Sequence, residues 1–369
     1  MHVVLFFTYD ISLSDWKTSG ILNRELKIYE EFEKNENIKF TFITYGDFED
    51  KNIISNPNIN IIPIYSIFKK SNSSFVRFLK SFSFPFYLKN NLEDFDVIKT
   101  NQLHGSWIAI ILKYLTKKKL YIRTGFDFYT FAKKRGLGFP KVLFFYFLTK
   151  ISLKTCEIYS VTSITDKKFL EKKFNPEREI ELIRNWVEPI ENSEDRFDNR
   201  ILAVGRLEYQ KNFSELFKQL KDTNFFIDIV GSGSLKELLK KEAIENNLTV
   251  NFLGNLKHKD LMELYGKYKV FVSSSLYEGN PKALLEAMSM GCVVISNKIE
   301  NIEEIIIENR NGFLYEFENE NLQEKITNVF KNEKKFKKIS DEAINFIEKE
   351  YSFKSVVEKE LKILKLLGT

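Results

Sequence analysis

The chain has 369 residues, of which 43% are hydrophobic and 29% are charged. This balance is typical of a globular protein with apolar material for two domain cores, and it excludes a disordered chain, a fibrous repeat and a small disulfide-stapled domain. The two cysteines, Cys156 and Cys292, are far apart in sequence and indicate a reducing compartment. Because neither they nor the three histidines stand at ligand spacing, we expect no metal site.

The net charge of +5 is unevenly distributed. Residues 51–154 carry 18 basic and 4 acidic side chains, whereas the rest of the chain has an excess of acids. Two segments, 68–89 and 131–150, interleave Lys and Arg with Phe and Leu, which favours contact with an anionic lipid surface. The alternative is that the aromatics are core and the lysines are its solvated edge. No nucleic-acid motif accompanies the charge, so we expect no nucleic-acid partner.

Neither a secretory signal nor a membrane span is predicted. The N-terminal apolar run is short and is followed by Asp10, and the longest apolar stretch elsewhere, 142–148, is about a third of a span. We therefore expect a cytoplasmic protein that is soluble or peripheral to the membrane.

Short apolar runs alternate with amphipathic segments along the first half of the chain. We predict strands near 2–7, 40–45, 57–64, 96–100 and 120–124, a loop through Gly20, and helices over 21–34 and 106–115. Beyond a polar segment without periodicity, further strands are predicted near 200–205, 225–230, 248–253, 269–275 and 292–297. This alternation predicts an α/β protein of two doubly wound, Rossmann-like domains facing a central cleft.

The polar segment without periodicity also predicts the domain boundaries. We expect an N-terminal domain over 1–185, a linker over 186–199 and a second domain over 200–350. A basic amphipathic helix within 351–369 is expected to cross back to the first domain.

A helix over 281–290 directly follows a predicted strand. Asn280 is a suitable N-cap, Pro281 suits the first helical position, and Gly291 is a suitable stop. The N-terminus of such a helix attracts phosphate. Glu278 lies just before it and Glu286 lies within it, and carboxylates at these places could accept hydrogen bonds from sugar hydroxyls. The alternative for each glutamate is an ordinary solvated helix residue.

Two cations, Arg206 and Lys211, are predicted on the loop that follows the strand at 200–205. Cations at that place would neutralise a diphosphate as it leaves. The Gly-x-Gly turn that begins at Gly231 is weaker evidence, since many strand-to-helix turns have this pattern without a ligand.

Three segments occur together: VGRLEYQKN (204–212), VGSGSLKELL (230–239) and YEGNPKALLEAMSMGCVVIS (277–296). With these segments the chain resembles the family 4 glycosyltransferases, the retaining sugar transferases of the GT-B fold also called glycosyl transferases group 1. The third segment is similar to the family's signature of two glutamates separated by seven residues. The resemblance is strong over about 180–369 and weak before that, and it implies that the first domain binds the acceptor and the second binds the nucleotide sugar.

The resemblance implies a role for each matching residue. Arg206 and Lys211 would hold the donor diphosphate, Glu286 would bind the nucleotide ribose, and Glu278 would bind the donor sugar. The other donor-side residues that it implies are Gly20, Gly231, Asn255, Leu256, Gly279, Asn280, Pro281 and Lys282.

Two departures from the family pattern concern the acceptor. Pro281 stands where many members have a second glycine, and proline there is familiar among polysaccharide-building members. Many members also carry a histidine after the strand that corresponds to 120–124, and this chain has none there. His104 and Asp127 are therefore the candidates for polar contacts on the acceptor side, and the alternative for His104 is a packed or solvated histidine.

The resemblance implies a metal-independent, retaining transferase without a cofactor, which moves a sugar from a nucleotide-diphosphate sugar to a glycan or lipid-linked acceptor. We expect it to act in bacterial surface polysaccharide or lipopolysaccharide synthesis, at the anionic inner membrane leaflet. Three alternatives stay open: a metal-dependent transferase that uses Asp94 and Asp96, a nucleotide-sugar epimerase of the same fold, and a non-catalytic protein that binds membranes or polyanions.

Overall fold

The computed structural model describes residues 1–190, 195–318 and 322–368. By its internal contacts the chain divides into two compact units. The first contains Met1–Ile183 and the residues from Val357 onward, and the second contains Arg184–Val356.

The first unit is built on a seven-stranded sheet in which every neighbouring pair of strands is parallel. Its strands are β1 (His2–Phe6), β2 (Lys39–Thr44), β3 (Ile59–Pro63), β4 (Val97–Thr100), β5 (Lys119–Arg123), β6 (Ile158–Val161) and β7 (Ile180–Leu182). The strand order is β3-β2-β1-β4-β5-β6-β7. The order reverses between β1 and β4, as in a doubly wound fold.

The helices of the first unit are α1 (Leu13–Thr18), α2 (Leu22–Glu36), α3 (Ile64–Ile67), α4 (Ser74–Ser81), α5 (Phe84–Asn91), α6 (Ser106–Thr116), α7 (Phe128–Lys134), α8 (Phe139–Thr155) and α9 (Ile164–Phe174). The predicted loop through Gly20 was wrong in part, because α1 occupies residues 13–18. Ser12 and Asp15 form a capping box that begins this helix. Gly20 lies in the turn between α1 and α2 with a φ of 74°.

The second unit is built on a six-stranded sheet, again with parallel pairs only. Its strands are β8 (Phe197–Val204), β9 (Phe226–Val230), β10 (Thr249–Gly254), β11 (Tyr268–Ser273), β12 (Val293–Asn297) and β13 (Phe313–Tyr315). Its helices are α10 (Phe213–Gln219), α11 (Lys236–Glu245), α12 (His258–Tyr265), α13 (Lys282–Ser289), α14 (Glu300–Glu303), α15 (Leu322–Lys331) and α16 (Glu333–Tyr351). The last helix of the chain, α17 (Phe353–Gly368), begins in this unit and continues in the first.

Both faces of the second sheet are buried. Along β8, Ile201 and Ala203 pack in one core, whereas Leu202 packs in the other. Because successive side chains of a strand point to opposite faces, the apolar run at the end of β8 can serve both cores. The prediction of two doubly wound parallel sheets is confirmed.

The segment predicted as a linker, 186–199, differs from the observed structure at both ends. Val187 forms a bridge with Ser352, and β8 begins at Phe197. Residues 191–194 lie outside the described residues.

Candidate active site

The second sheet has the strand order β10-β9-β8-β11-β12-β13, so its order reverses between β8 and β11. In open parallel sheets, ligands bind beyond the carboxyl ends of the strands at this reversal. The segment 205–212 follows β8, and the segment 274–281 follows β11. The two predicted donor-binding segments therefore begin at the same point of the sheet.

Hydrogen bonds join these two segments. The backbone carbonyl of Gln210 accepts a bond from the backbone amide of Leu276 (2.9 Å). The side-chain amide of Gln210 donates a bond to the backbone carbonyl of Tyr277 (2.9 Å). The hydroxyl of Ser274 donates to the carbonyl of Lys211 (2.8 Å). Gln210 is buried, and it was not predicted from the sequence, where nothing distinguishes it from a surface glutamine.

Lys211 and Glu278 form an ion pair, with 2.5 Å between Nζ and Oε1. The hydroxyl of Ser275 donates to the same oxygen of Glu278 (2.7 Å). The side chain of Lys211 lies across Gly205, where an added Cβ would come within 2.8 Å of its Cε. Gly205 therefore gives Lys211 the space to reach Glu278.

Arg206 lies on the same segment and is exposed. Its Nη2 donates to Oε1 of Gln210 (3.2 Å), whose amide in turn holds the carbonyl of Tyr277. Arg206 is thus connected through Gln210 to the segment that leads into α13.

The two glycines of the Gly-x-Gly turn have a packing role. A Cβ at Gly231 would lie 2.0 Å from the carbonyl oxygen of Gly205, and one at Gly233 would lie 2.3 Å from that of Leu207. Gly231 also has a φ of 137°, which disfavours other residues. Both glycines let the turn after β9 approach the backbone of the segment that carries Arg206. The contact of Gly231 with a donor stays a prediction.

Helix α13 begins one residue later than the sequence predicts. Pro281 is its N-cap rather than its first residue, and no side chain caps the helix. The prediction of Asn280 as the N-cap was wrong. Asn280 instead accepts bonds from the backbone amide (3.3 Å) and the side chain (2.9 Å) of Asn185, which fastens residue 185 to the loop. The predicted end is confirmed, since Gly291 follows the helix with a φ of 74°.

The start of α13 is enclosed by the protein. Gly279, Asn280 and Pro281 are buried, and Lys282 is half-buried. Since the first turn of a helix leaves backbone N–H groups without helical partners, this buried start suits an anion.

Glu286 is buried in the second turn of α13 and is not a solvated helix residue. His258 approaches its Oε1 with Nε2 at 3.2 Å, and Tyr265 donates its hydroxyl to Oε2 at 3.4 Å. His258 was considered in the sequence only as a metal ligand, so its contact with Glu286 was missed.

Asn255 and Leu256 lie in the turn between β10 and α12. The carbonyl of Gly254, at the start of this turn, accepts a bond from the amide of Gly231 (2.8 Å). Leu256 packs against the core, and Asn255 is exposed. This turn therefore adjoins the Gly-x-Gly turn.

In the first unit, His104 follows β4 and lies among aromatic rings. Its ring centroid is 5.5 Å from that of Tyr9 and 5.7 Å from those of Trp107 and Phe145. Burial lowers the pKa of His104 to about 4, against a smaller opposing effect of the Asp10 carboxylate. His104 is therefore a neutral, packed imidazole near pH 7, and a contact with an acceptor stays a prediction.

Asp127 is the N-cap of α7. Its Oδ2 accepts a bond from the backbone amide of Thr130 (2.7 Å), and the side chain is buried. Burial raises the pKa of Asp127, while the bonds from Thr130 oppose this. The side chain has a helix-capping role, and its acceptor contact stays a prediction.

Asp94 and Asp96 lie before β4, at the amino end of the strand. Asp94 pairs with Lys118 (2.9 Å), and Asp96 accepts a bond from the backbone amide of His2 (2.8 Å). This is the opposite edge of the sheet from the one where ligands bind, so this position disfavours the metal-dependent alternative.

The region that contains the site matches a known family. Residues 185–346 match the family model described as Glycosyl transferases group 1. These residues belong to the glycosyl transferases group 1 family. The resemblance stated from the sequence is thereby confirmed. Residues 206, 211, 278 and 286 all lie inside the group 1 region.

Comparison with a relative and with solved structures agrees with this assignment. A relative from Campylobacter jejuni, named as an α-1,4-N-acetyl-D-galactosaminyltransferase acting on an undecaprenol-diphosphate-linked glycan, is 26% identical over 236 residues. That match covers 59% of this chain and spans only 62% of the relative. Sucrose-phosphate synthase from Thermosynechococcus elongatus superposes with a TM-score of 0.85 at 15% identity, over 100% of this chain and 99% of that chain. HepE from Anabaena, solved with UDP, superposes with a TM-score of 0.74 at 13% identity, over 99% of this chain and 100% of that chain. These structures show that the chain has the GT-B fold.

Proposed function

We propose that the chain transfers a sugar from a nucleotide-diphosphate sugar to a glycan or lipid-linked acceptor, with retention of the anomeric configuration and without a metal ion. The observation that carries the proposal is the joining of the segments after β8 and β11 by the Lys211–Glu278 ion pair, at the reversal of the strand order. The group 1 match supports it, and so does the named activity of the Campylobacter jejuni relative.

In the proposed complex, Arg206, Lys211 and the buried start of α13 hold the diphosphate. Glu278, with the backbone of 279–282, takes the donor sugar, and Glu286 takes the ribose, with Asn255 and Leu256 near the base. Two carboxylates beside a phosphate would repel it, and the ion pair of Glu278 with Lys211 reduces that repulsion. The UDP complex of HepE makes UDP the first nucleotide to try.

The chemistry that we propose balances within the two substrates. The acceptor oxygen bonds to the anomeric carbon on the face from which the diphosphate leaves. The bond from that carbon to the phosphate oxygen breaks, and its electron pair stays on the diphosphate, which takes the hydroxyl proton. The protein's part is to orient both reactants and to stabilise the growing negative charge through Arg206, Lys211 and the helix start.

The direct test is a transfer assay with the purified protein. UDP- and GDP-sugars are first compared by the rise in melting temperature that they cause. The stabilising donor is then incubated with an undecaprenyl-diphosphate-linked glycan in the presence of EDTA. We expect an extended glycan by mass spectrometry and an unchanged anomeric configuration by NMR.

Each alternative has its own outcome in that assay. An epimer formed without acceptor would indicate the epimerase, and activity that EDTA abolishes and a divalent ion restores would indicate the metal-dependent transferase. Failure of every nucleotide sugar to stabilise the protein would favour the non-catalytic alternative.

We further propose that the enzyme meets its acceptor at the inner face of the cytoplasmic membrane. No helix among the described residues is long and apolar enough to cross a bilayer. Helix α8 nevertheless exposes apolar side chains at every fourth position, and α4 and α5 expose others. We call these residues the lipid-facing surface: Phe75, Leu79, Phe82, Phe86, Phe139, Leu143, Phe147 and Ile151.

The lipid-facing surface is continuous and is bordered by positive charge. Phe78 of α4 packs against Phe144 of α8, with ring centroids 5.5 Å apart, so the exposed faces of the two helices adjoin. Exposed basic residues flank them: Lys69, Lys70, Lys80, Lys89, Lys133, Lys134, Arg135, Lys141, Lys150 and Lys154. Exposed apolar rings among lysines suit the headgroup boundary of an anionic bilayer.

Vesicle sedimentation tests the lipid-facing surface. We expect the wild-type protein to sediment with phosphatidylglycerol vesicles and much less with phosphatidylcholine vesicles. The variant Leu79→Asp/Phe147→Asp should lose this binding, whereas Ile244→Asp, at an even more exposed apolar residue of α11, should keep it. Equal recovery with both vesicle types would contradict this part of the proposal.

A further inference from the structure

His258 and Tyr265 contact Glu286 from two sides. His258 is the first residue of α12 and Tyr265 is the last, seven positions later. Seven residues make about two turns, so both side chains lie on the face of α12 that packs against α13. His258 meets Oε1 of Glu286 and Tyr265 meets Oε2.

These contacts fix the orientation of the carboxylate. When Glu286 is ionised its oxygens only accept hydrogen bonds, and Nε2 of His258 must then carry the hydrogen in this contact. A bond to an ionised group is stronger than one between neutral groups. Tyr265 is fully buried, so its ring has little freedom to move.

His258 differs from Tyr265 in its access to solvent. Its side chain is 31% exposed, whereas that of Glu286 is 4% exposed. The turn that leads into His258 contains Asn255 and Leu256, where the base is expected, and it is bonded to the Gly-x-Gly turn through Gly254 and Gly231. His258 thus lies between that turn and the buried carboxylate.

We propose that His258 is a positioning residue for the donor nucleotide: it holds the Glu286 carboxylate in the orientation that accepts the ribose hydroxyls. This inference rests on the proposed function, which gives Glu286 its ribose. His258 lies outside the sequence motifs that indicated the donor site. Its proposed role is to make the protein prefer nucleotides with ribose hydroxyls over nucleotides that lack them.

Calorimetric titration with two nucleotides tests the proposal. UDP or GDP, whichever the wild-type protein binds, is compared with its 2′,3′-dideoxy form. We expect wild type to prefer the ribonucleotide at least ~10-fold, the factor for ~1.4 kcal/mol of lost hydrogen bonding. In His258→Ala this preference should fall towards one, through weaker binding of the ribonucleotide alone.

Two further variants separate positioning from a structural effect. His258→Gln keeps an N–H donor near the place of Nε2 and should retain most of the preference. His2→Gln, at a histidine of the first unit, should leave it unchanged. In a transfer assay, His258→Ala should raise the donor KM and change kcat little.

The outcomes distinguish this inference from the proposed function. If wild type binds no nucleoside diphosphate, both are wrong. If wild type binds and His258→Ala loses affinity equally for both nucleotides, or loses none, the proposed function stands and the role of His258 is contradicted.

Discussion

At the scale of single residues, the partners of Glu278 and Glu286 explain how two glutamates can border the proposed phosphate site. Glu278 is neutralised by Lys211, and Glu286 is held by His258 and Tyr265. A buried carboxylate without such partners would be costly. Lys211 therefore stabilises the buried Glu278 carboxylate in addition to its proposed contact with the donor.

Replacement of Arg206 or Lys211 by Ala tests this pairing. Each change should lower turnover by ~10²-fold or more, the scale for losing one group that stabilises developing charge. Lys211→Ala also removes the cation that pairs with Glu278, so the melting temperature of this variant must be measured. Arg206 is exposed, so Arg206→Ala should not affect folding. Lys218→Ala, at an exposed lysine of α10, is the control. Normal turnover in the double variant would refute the assignment.

His104 makes stability depend on pH. Its folded pKa of about 4 lies below the ordinary 6.5, so the unfolded chain binds more protons between these values and stability falls as the pH falls. From pH 7.5 to pH 5 the histidine should remove ~2 kcal/mol from the free energy of unfolding. Urea unfolding should show a correspondingly smaller loss in His104→Gln. An equal loss in wild type and His104→Gln would contradict the burial of a neutral imidazole.

At the scale of elements, the last helix is fixed to the first sheet by a buried ion pair. Lys99 of β4 and Glu360 of α17 lie 2.9 Å apart, and both side chains are at most 3% exposed. Burial lowers the pKa of Lys99, and the Glu360 carboxylate opposes this. The rings of Tyr29 and Tyr121 lie beside the ammonium, 5.3 and 5.6 Å away.

Replacing one partner of that pair should destabilise the protein more than replacing both partners. Lys99→Met removes one of the two cations, Lys99 and Arg123, that attract the buried Glu360 carboxylate, and should cost up to ~3–5 kcal/mol of unfolding free energy. Lys99→Met/Glu360→Leu should recover much of that loss in a denaturant titration. If the double variant were as unstable as the sum of both single variants, the pair would not be the coupled unit that the geometry indicates.

The elements also show what could be predicted from sequence. Apolar runs predicted most strands, since burial on both faces leaves a clear signal in β1, β8 or β12. The three-residue strands β7 and β13 are too short for any pattern. Helix α1 was not predicted, although the Ser12–Asp15 capping box that begins it is visible in the sequence. Gln210 and Asn185 could not be predicted, because their roles depend on bonds to residues 67 and 95 positions away.

At the scale of the whole molecule, each unit repeats the same doubly wound order and has its own reversal point. In the first unit this point is lined by the aromatic side chains around Tyr9 and His104, whose backbones are bonded (3.0 Å), and by the ion pair of Asp10 with Arg77 (2.8 Å). In the second it is lined by the paired charges of the group 1 residues. Both reversal points therefore carry charge, and our proposal places the donor on the second unit because the group 1 match covers that unit.

The central claim is that the start of α13, Lys211 and Arg206 form one diphosphate site. A crystal structure with UDP or GDP tests it most directly. We predict a diphosphate within hydrogen-bond distance of Lys211 Nζ and of the backbone amides near 279–283, with the ribose hydroxyls on Glu286. A nucleotide bound elsewhere in the chain, with Lys211 still paired only to Glu278, would contradict the account.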